Sequence, residues 1–205
     1  MMLRHLWSER VLSSMEVVSR CYLCFGSSKR NSREPVAATN KELLSATHQS
    51  SRVHPFNIGM GKEAGEALIN VNPISRVSSM KLSRPEDHPE TIKLDTIAGF
   101  VEKHQLAAID FLKIDTEGFN LEVLAGAIPL LQEQKIHFVQ TECEPVLRTK
   151  NFVNFADSAA FMAGFGYKLF GVYEQQPEWD GQRMLLYWNA VFICDKLTPQ
   201  GARLP

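Results

Sequence analysis

Residues 110–127 read Asp-Phe-Leu-Lys-Ile-Asp-Thr-Glu-Gly-Phe-Asn-Leu-Glu-Val-Leu-Ala-Gly-Ala, and no other stretch limits the possible folds as much. A short apolar strand bearing Lys113 ends in Asp115 and Glu117. A glycine turn at Gly118 follows, then a helix expected to bury Leu121, Val123, Leu124 and Ile128. The two carboxylates therefore stand at a strand's carboxyl end. In open α/β sheets ligands gather at that edge, because the loops diverge there and the next helix offers its positive N-terminus. Strand alternation sends Phe111, Lys113 and Asp115 to one side and Leu112 and Ile114 to the other, which puts Lys113 in position to keep Asp115 ionised. The same residues also read as a helix start, with Asp115 or Thr116 capping free amides and Glu117 favouring the dipole.

The pattern around this segment alternates. Helical spacing covers 40–49, strands 52–58 and 91–94 flank a loop or short hairpin through 59–80, and helix 95–104 leads to strand 109–115. Helix 119–134 and strand 136–142 come next, with Pro129 kinking or restarting the helix. Phe152 to Phe165 has helical spacing with Phe155, Ala159, Phe161 and Met162 toward a core, ended by Gly164 and Gly166. Strands near 167–174 and 186–194 read as an antiparallel hairpin with a long turn. Alternating strands and helices predict a parallel sheet with helices on both faces.

At 205 residues the chain suits one domain with a substantial core, and 44% apolar with 22% charged residues is ordinary for a globular protein. A formal net charge of -1 supplies no field for nucleic acid or an anionic membrane, and no basic run interleaves with aromatics. Apolar runs fall short of the ~20 residues of a membrane helix. Cys21, Cys24, Cys143 and Cys194 form no disulfide framework, which points to plain thiols in a reducing, cytoplasmic compartment. Cys21 and Cys24 have the spacing of half a zinc site or a redox pair, without a second pair nearby. The histidines form no pair at i, i+4.

Leu-Lys-Ile-Asp-Thr-Glu-Gly at 112–118, followed by Leu-Glu-Val-Leu-Ala-Gly-Ala at 121–127, resembles the signature of the FkbM-type methyltransferases, S-adenosylmethionine-dependent enzymes that mostly methylate hydroxyl oxygens. Other pieces follow in the family's order. Glu34-Pro35-Val36 and the helix after it resemble the acidic end of the second strand. Arg52 to Gly61 resembles the next strand and turn, Ile92 to Ile97 the threonine-leucine-aspartate segment with Lys93 at the threonine, and His137 to Glu142 the strand ending in glutamate.

The resemblance implies a Rossmann-like class I methyltransferase sheet, mostly parallel, with an antiparallel C-terminal hairpin, over residues 34–198. S-adenosylmethionine is the implied cofactor, held by Glu34 at its ribose hydroxyls and by Asn57, Lys113 and Asp115. Asp115, Glu117 and Glu142 are the implied catalytic residues, acting on a hydroxyl of a sugar, glycan or other small molecule. Glu144 ends the same strand as Glu142. Asp95 is expected to cap the helix after it. Trp179 and Trp188 either wall the acceptor site or pack in the core. The converging carboxylates suit a hard cation, although nothing in their spacing demands one.

The front departs from the family pattern. A member opens with a strand and a glycine-rich turn whose free amides approach the cofactor, whereas here Gly26 is the only glycine before Gly59. The first strand-helix-strand unit is thus expected to be incomplete, residues 1–33 atypical and poorly ordered, and 199–205 a tail. With Arg4, Arg10 and Arg20 and few acids, the opening segment is similar both to a mitochondrial transit peptide and to a segment under no folding constraint. Val17 to Phe25 can supply a substitute strand. Three possibilities stand together: an O-methyltransferase, a non-catalytic remnant of that fold, and an interaction subunit that completes its sheet against a copy of itself or a partner.

Overall fold

The computed structural model describes residues 20–25, 29–72, 78–80, 83–145, 152–177 and 184–198. The main sheet has eight strands. Its path is β10 (Tyr167–Pro177), β11 (Leu185–Cys194), β8 (Ile136–Glu144), β7 (Ile109–Asp115), β1 (Arg20–Phe25), β2 (Lys29–Arg33) and β3 (Val53–Phe56), with β9 (Val153–Asn154) paired to β8. A smaller sheet joins β4 (Gly59–Met60), β6 (His88–Asp95) and β5 (Gly65–Val71).

The main sheet is more mixed than the predicted, mostly parallel one. β7 and β8 are parallel, as are β2 and β3, and β8 and β9. The terminal hairpin is antiparallel as expected, and so is its junction with β8. β1 lies between β2 and β7 and runs against both. It joins β2 through a short connection, which can link only antiparallel neighbours; a parallel strand needs a longer crossover. The sheet thus begins before the boundary expected at residue 34, and β1 lies within Val17–Phe25, where a substitute strand was expected, and pairs with β7. The transit-peptide reading concerns residues 1–33, of which 1–19 and 26–28, like the tail 199–205, lie outside the described residues, while 20–25 and 29–33 are strands of the sheet.

One face of the main sheet carries the core. Leu112, Ile114, Val139, Ala190 and Phe192 are buried there, each worth about 1.5–3 kcal/mol if a full-sized side chain. Against them pack Ile97, Phe100 and Val101 of α2 (Ile97–Lys103), Val123 and Leu124 of α3 (Asn120–Ala125), Leu130 and Leu131 of α4 (Ile128–Gln132), and Met162 of α5 (Phe155–Ala163). α1 (Ala37–Thr47) lies beside β3. A second cluster of Val36, Ile69, Val71 and Ile92 underlies the small sheet. Trp188 is tilted against Phe155 and belongs to the core, while Trp179 lies outside the described residues.

The helix expected over 119–134 is two helices. Pro129 falls in the first turn of α4. In an unbroken helix its missing N–H would leave the Ala125 carbonyl without a donor, so the chain breaks at Gly126-Ala127 and restarts where proline is tolerated. Among the described residues no helix is long and apolar enough to cross a membrane.

Candidate functional site

The turn after β7 is built around one asparagine. Asn120 is buried, and its Oδ1 accepts from the Thr116 amide at 3.2 Å and the Thr116 hydroxyl at 2.7 Å. Its Nδ2 donates to Thr141 Oγ1 at 2.8 Å and the Glu142 carbonyl at 3.0 Å. The residue thus ties the end of β7 to the end of β8. α3 has no side-chain cap, so neither Asp115 nor Thr116 plays the capping role that was open for them. Glu117 adopts a left-handed backbone at φ 47° and Gly118 one at φ 90°. Asn120→Ala leaves several buried groups without partners and is expected to cost about 2–4 kcal/mol in urea denaturation. A cost below ~1 kcal/mol would mean that the clamp does not hold the turn.

Strand register brings the predicted residues into one row. Cys21 stands opposite both Arg33 and Ile114; Arg33 is opposite Phe56, and Ile114 is opposite Thr141. One residue further toward the carboxyl edge, Asn57, Glu34, Asp115 and Glu142 come level, with Arg20 paired to Asp115. Asn189 continues the row by facing Glu142. Glu34 and Asp115 are two strand spacings apart, ~10 Å.

Glu34 is fully buried. One of its carboxylate oxygens accepts from the Val36 amide at 3.1 Å, and its own amide extends the ladder to the Phe56 carbonyl. Asn57 Nδ2 donates to the carbonyls of Glu34 and Pro35, holding the ends of β2 and β3 together. Lys113 Nζ is 3.5 Å from Asp115 Oδ2, the pairing that alternation predicts. Asp95 is not the cap of α2. Thr96 is: its Oγ1 accepts from the Gly99 amide, and Asp95 Oδ1 accepts from the Thr96 amide. The register of the cap is set by where the strand ends, one residue later than the acid.

Burial raises the Glu117 carboxyl to about 7, with Asp115 adding to the rise and Arg84 opposing it. Glu142 is pushed to about 8 by burial and then by Asp115 and Glu117, against Lys113. Glu144 is fully buried. Among the described residues no three histidine, cysteine, aspartate or glutamate side chains converge as metal ligands.

Both raised acids bind a proton more tightly folded than unfolded, where the ordinary value is 4.5. Their contribution to stability is therefore full below pH ~4.5 and is lost as pH rises through about 7 for Glu117 and about 8 for Glu142, by up to ~1.4 kcal/mol per pH unit for each acid in its window. Urea denaturation at pH 5 and pH 8 checks this, and Glu142→Gln is expected to flatten the dependence. Stability that rises over this range would contradict the shared burial.

Several residues of the site escaped the sequence: Asn120, Gln140, Glu174, Tyr187 and Asn189. Asn120 and Asn189 each interrupt an apolar pattern, a signal that was there to read. Glu174 gave none, because it reaches the site through a bulge in β10, where its φ is 49° and its carboxylate accepts from Asn189 Nδ2.

A family model described as "Methyltransferase FkbM domain" matches residues 18–169. Among solved structures, that of methyltransferase FkbM from Methylobacillus flagellatus KT is similar, at 16% identity and a TM-score of 0.47, over 77% of this chain and 35% of that one. The chain thus spans about a third of that protein's length. No curated protein matches it.

Proposed function

The chain belongs to the FkbM methyltransferase family, and from that premise we propose that it transfers a methyl group from S-adenosylmethionine to a hydroxyl of a sugar, glycan or other small-molecule acceptor. The observation that carries this reading is the row of Glu34, Asp115 and Glu142 along one carboxyl edge of the sheet. Its donor set suits the cofactor. Carboxylates accept ribose hydroxyls at one end, and negative charge at the other favours a sulfonium and an ammonium.

In this reading Glu34 accepts the ribose hydroxyls, and Asn57 keeps its strand end in place. Lys113 and Asp115 meet the methionyl end as an ion pair. The bound cofactor supplies an electrophilic methyl carbon. Glu142 and Glu117 orient the acceptor, and one of them removes the hydroxyl proton as the oxygen–carbon bond forms and the carbon–sulfur bond breaks; the proton then passes to water. Values near 7 and 8 suit a base at neutral pH, where proton affinity and availability balance. In-line alignment supplies the rest of the acceleration.

One observation favours a second reading, a non-catalytic relative of the same fold. β1 runs antiparallel, so it enters at the row with Arg20 and ends at the opposite edge with Phe25. No glycine-rich turn can then follow it at the cofactor's edge. Calorimetric titration with S-adenosylmethionine separates the two. Saturable binding, weakened at least about tenfold by Glu34→Ala, is the expected result. Absence of binding at millimolar cofactor leaves the non-catalytic reading.

A further inference from the structure

Beyond Asp115 the row reaches an acidic corner against the terminal hairpin. Glu142 faces Asn189 of β11, whose Nδ2 donates to the Glu174 carboxylate, and Tyr187 stands two residues along the same side of β11; burial first, then Glu142, Asp115, Glu174 and Glu117, hold the proton on its phenol ring. That ring stacks on Phe152, with centroids 5.0 Å apart. Among the described residues, Lys113 and Arg84 are the cations that act on Glu142 and Glu117. Behind the acids lies Gln140, two residues before Glu142 on the same side of β8 and level with Lys113. Gln140 is fully buried, yet neither Oε1 nor Nε2 has a hydrogen-bond partner. A buried amide with both ends open costs about 1–3 kcal/mol per group and points to a polar ligand that pairs with it.

We infer that this corner, formed by Glu142, Glu174, Gln140 and Tyr187, binds a protonated amino group of the acceptor, which makes the acceptor an amino-bearing polyol such as an amino sugar. The inference rests on the methyltransferase reading. An ammonium has three donors to spread over separated carboxylates and an amide oxygen, and it gains further from aromatic faces. A metal ion needs oxygens converging at short range, which the described acids do not provide. A neutral hydroxyl offers no charge to draw the protons off the raised acids Glu117 and Glu142, whereas an ammonium does.

The cofactor also carries an ammonium, but distance assigns the corner to the acceptor. Glu142 is three strand spacings from Glu34, ~15 Å, and Glu174 on β10 lies further out. A cofactor anchored on Glu34 meets Asp115 first.

The test uses the full chain saturated with S-adenosylhomocysteine at pH 7, titrated calorimetrically with glucosamine, N-acetylglucosamine and glucose. Glucosamine is expected to bind at least about tenfold tighter than the other two, the gain of one desolvated ammonium contact. Glu174→Gln, at an exposed position, and Gln140→Leu are each expected to reduce that preference several-fold, with the S-adenosylhomocysteine titration of each variant serving as the check that it folds. Equal affinity for the three sugars overturns the inference while leaving the methyltransferase reading intact. So does a preference that survives in both folded variants, or displacement of glucosamine by millimolar magnesium. Failure of the wild-type chain to bind S-adenosylhomocysteine overturns both.

Discussion

Asp115→Asn is expected to lower methyl transfer by about 10²–10³-fold, the usual loss on removing one charge aimed at a reacting centre. The substitution keeps the shape and removes the charge. Asp115 is only partly covered and pairs with Lys113 at its surface, so the fold should lose little; exposed pairs contribute about 0–1 kcal/mol. A second readout follows from its neighbours. Asp115 helps to raise both Glu117 and Glu142, so its loss should move their titration toward lower pH and carry the alkaline dependence of stability with it. Turnover within a factor of about three of wild type, with the acid titrations unmoved, would mean that the reacting centre lies elsewhere.

Gly126→Ala is expected to cost the fold at least ~3 kcal/mol, enough to leave little soluble protein, because an added Cβ meets rigid backbone. That Cβ would stand 2.1 Å from the Gly61 carbonyl oxygen and 3.3 Å from Thr96 Cβ. Side chains can turn aside, whereas this carbonyl belongs to a strand end held by the Gly61 amide donating to the Asp95 carbonyl. Gly126 also accepts from the Ala98 amide, so three segments meet at one point. Gly61→Ala is the control. Its Cβ would find Leu94 at 3.6 Å, ordinary contact, and should be tolerated within ~1 kcal/mol. Equal stability of the two variants would refute the close-packing account of the Ala-Gly-Ala segment.

That glycine illustrates what could be read and what could not. The expected helix 119–134 ran straight through it, and because the carbonyl it admits comes from a residue 65 positions earlier, nothing local announces it. β7 lay where alternation put it, at 109–115, because a strand buried on one face leaves a period of two in the chain. The helix after it was over-extended because a proline in a first turn and a proline inside a helix look alike until the break is seen. β1 and β2 were harder still. Lys29–Arg33 carries no apolar alternation, and its pairing on both sides makes it a strand.

The sequence by itself determined the site's chemistry: a lysine and acids at a strand end before a glycine turn, and an acid before proline, in the order of one family. Those are local facts, set by residue type and spacing. Tertiary structure alone decided that Asn57, Glu34, Asp115 and Glu142 share a row, that Asn120 fastens it and that Glu174 closes its end. Register is a property of paired strands distant in the chain, and a slip of one residue would have turned each acid to the opposite face.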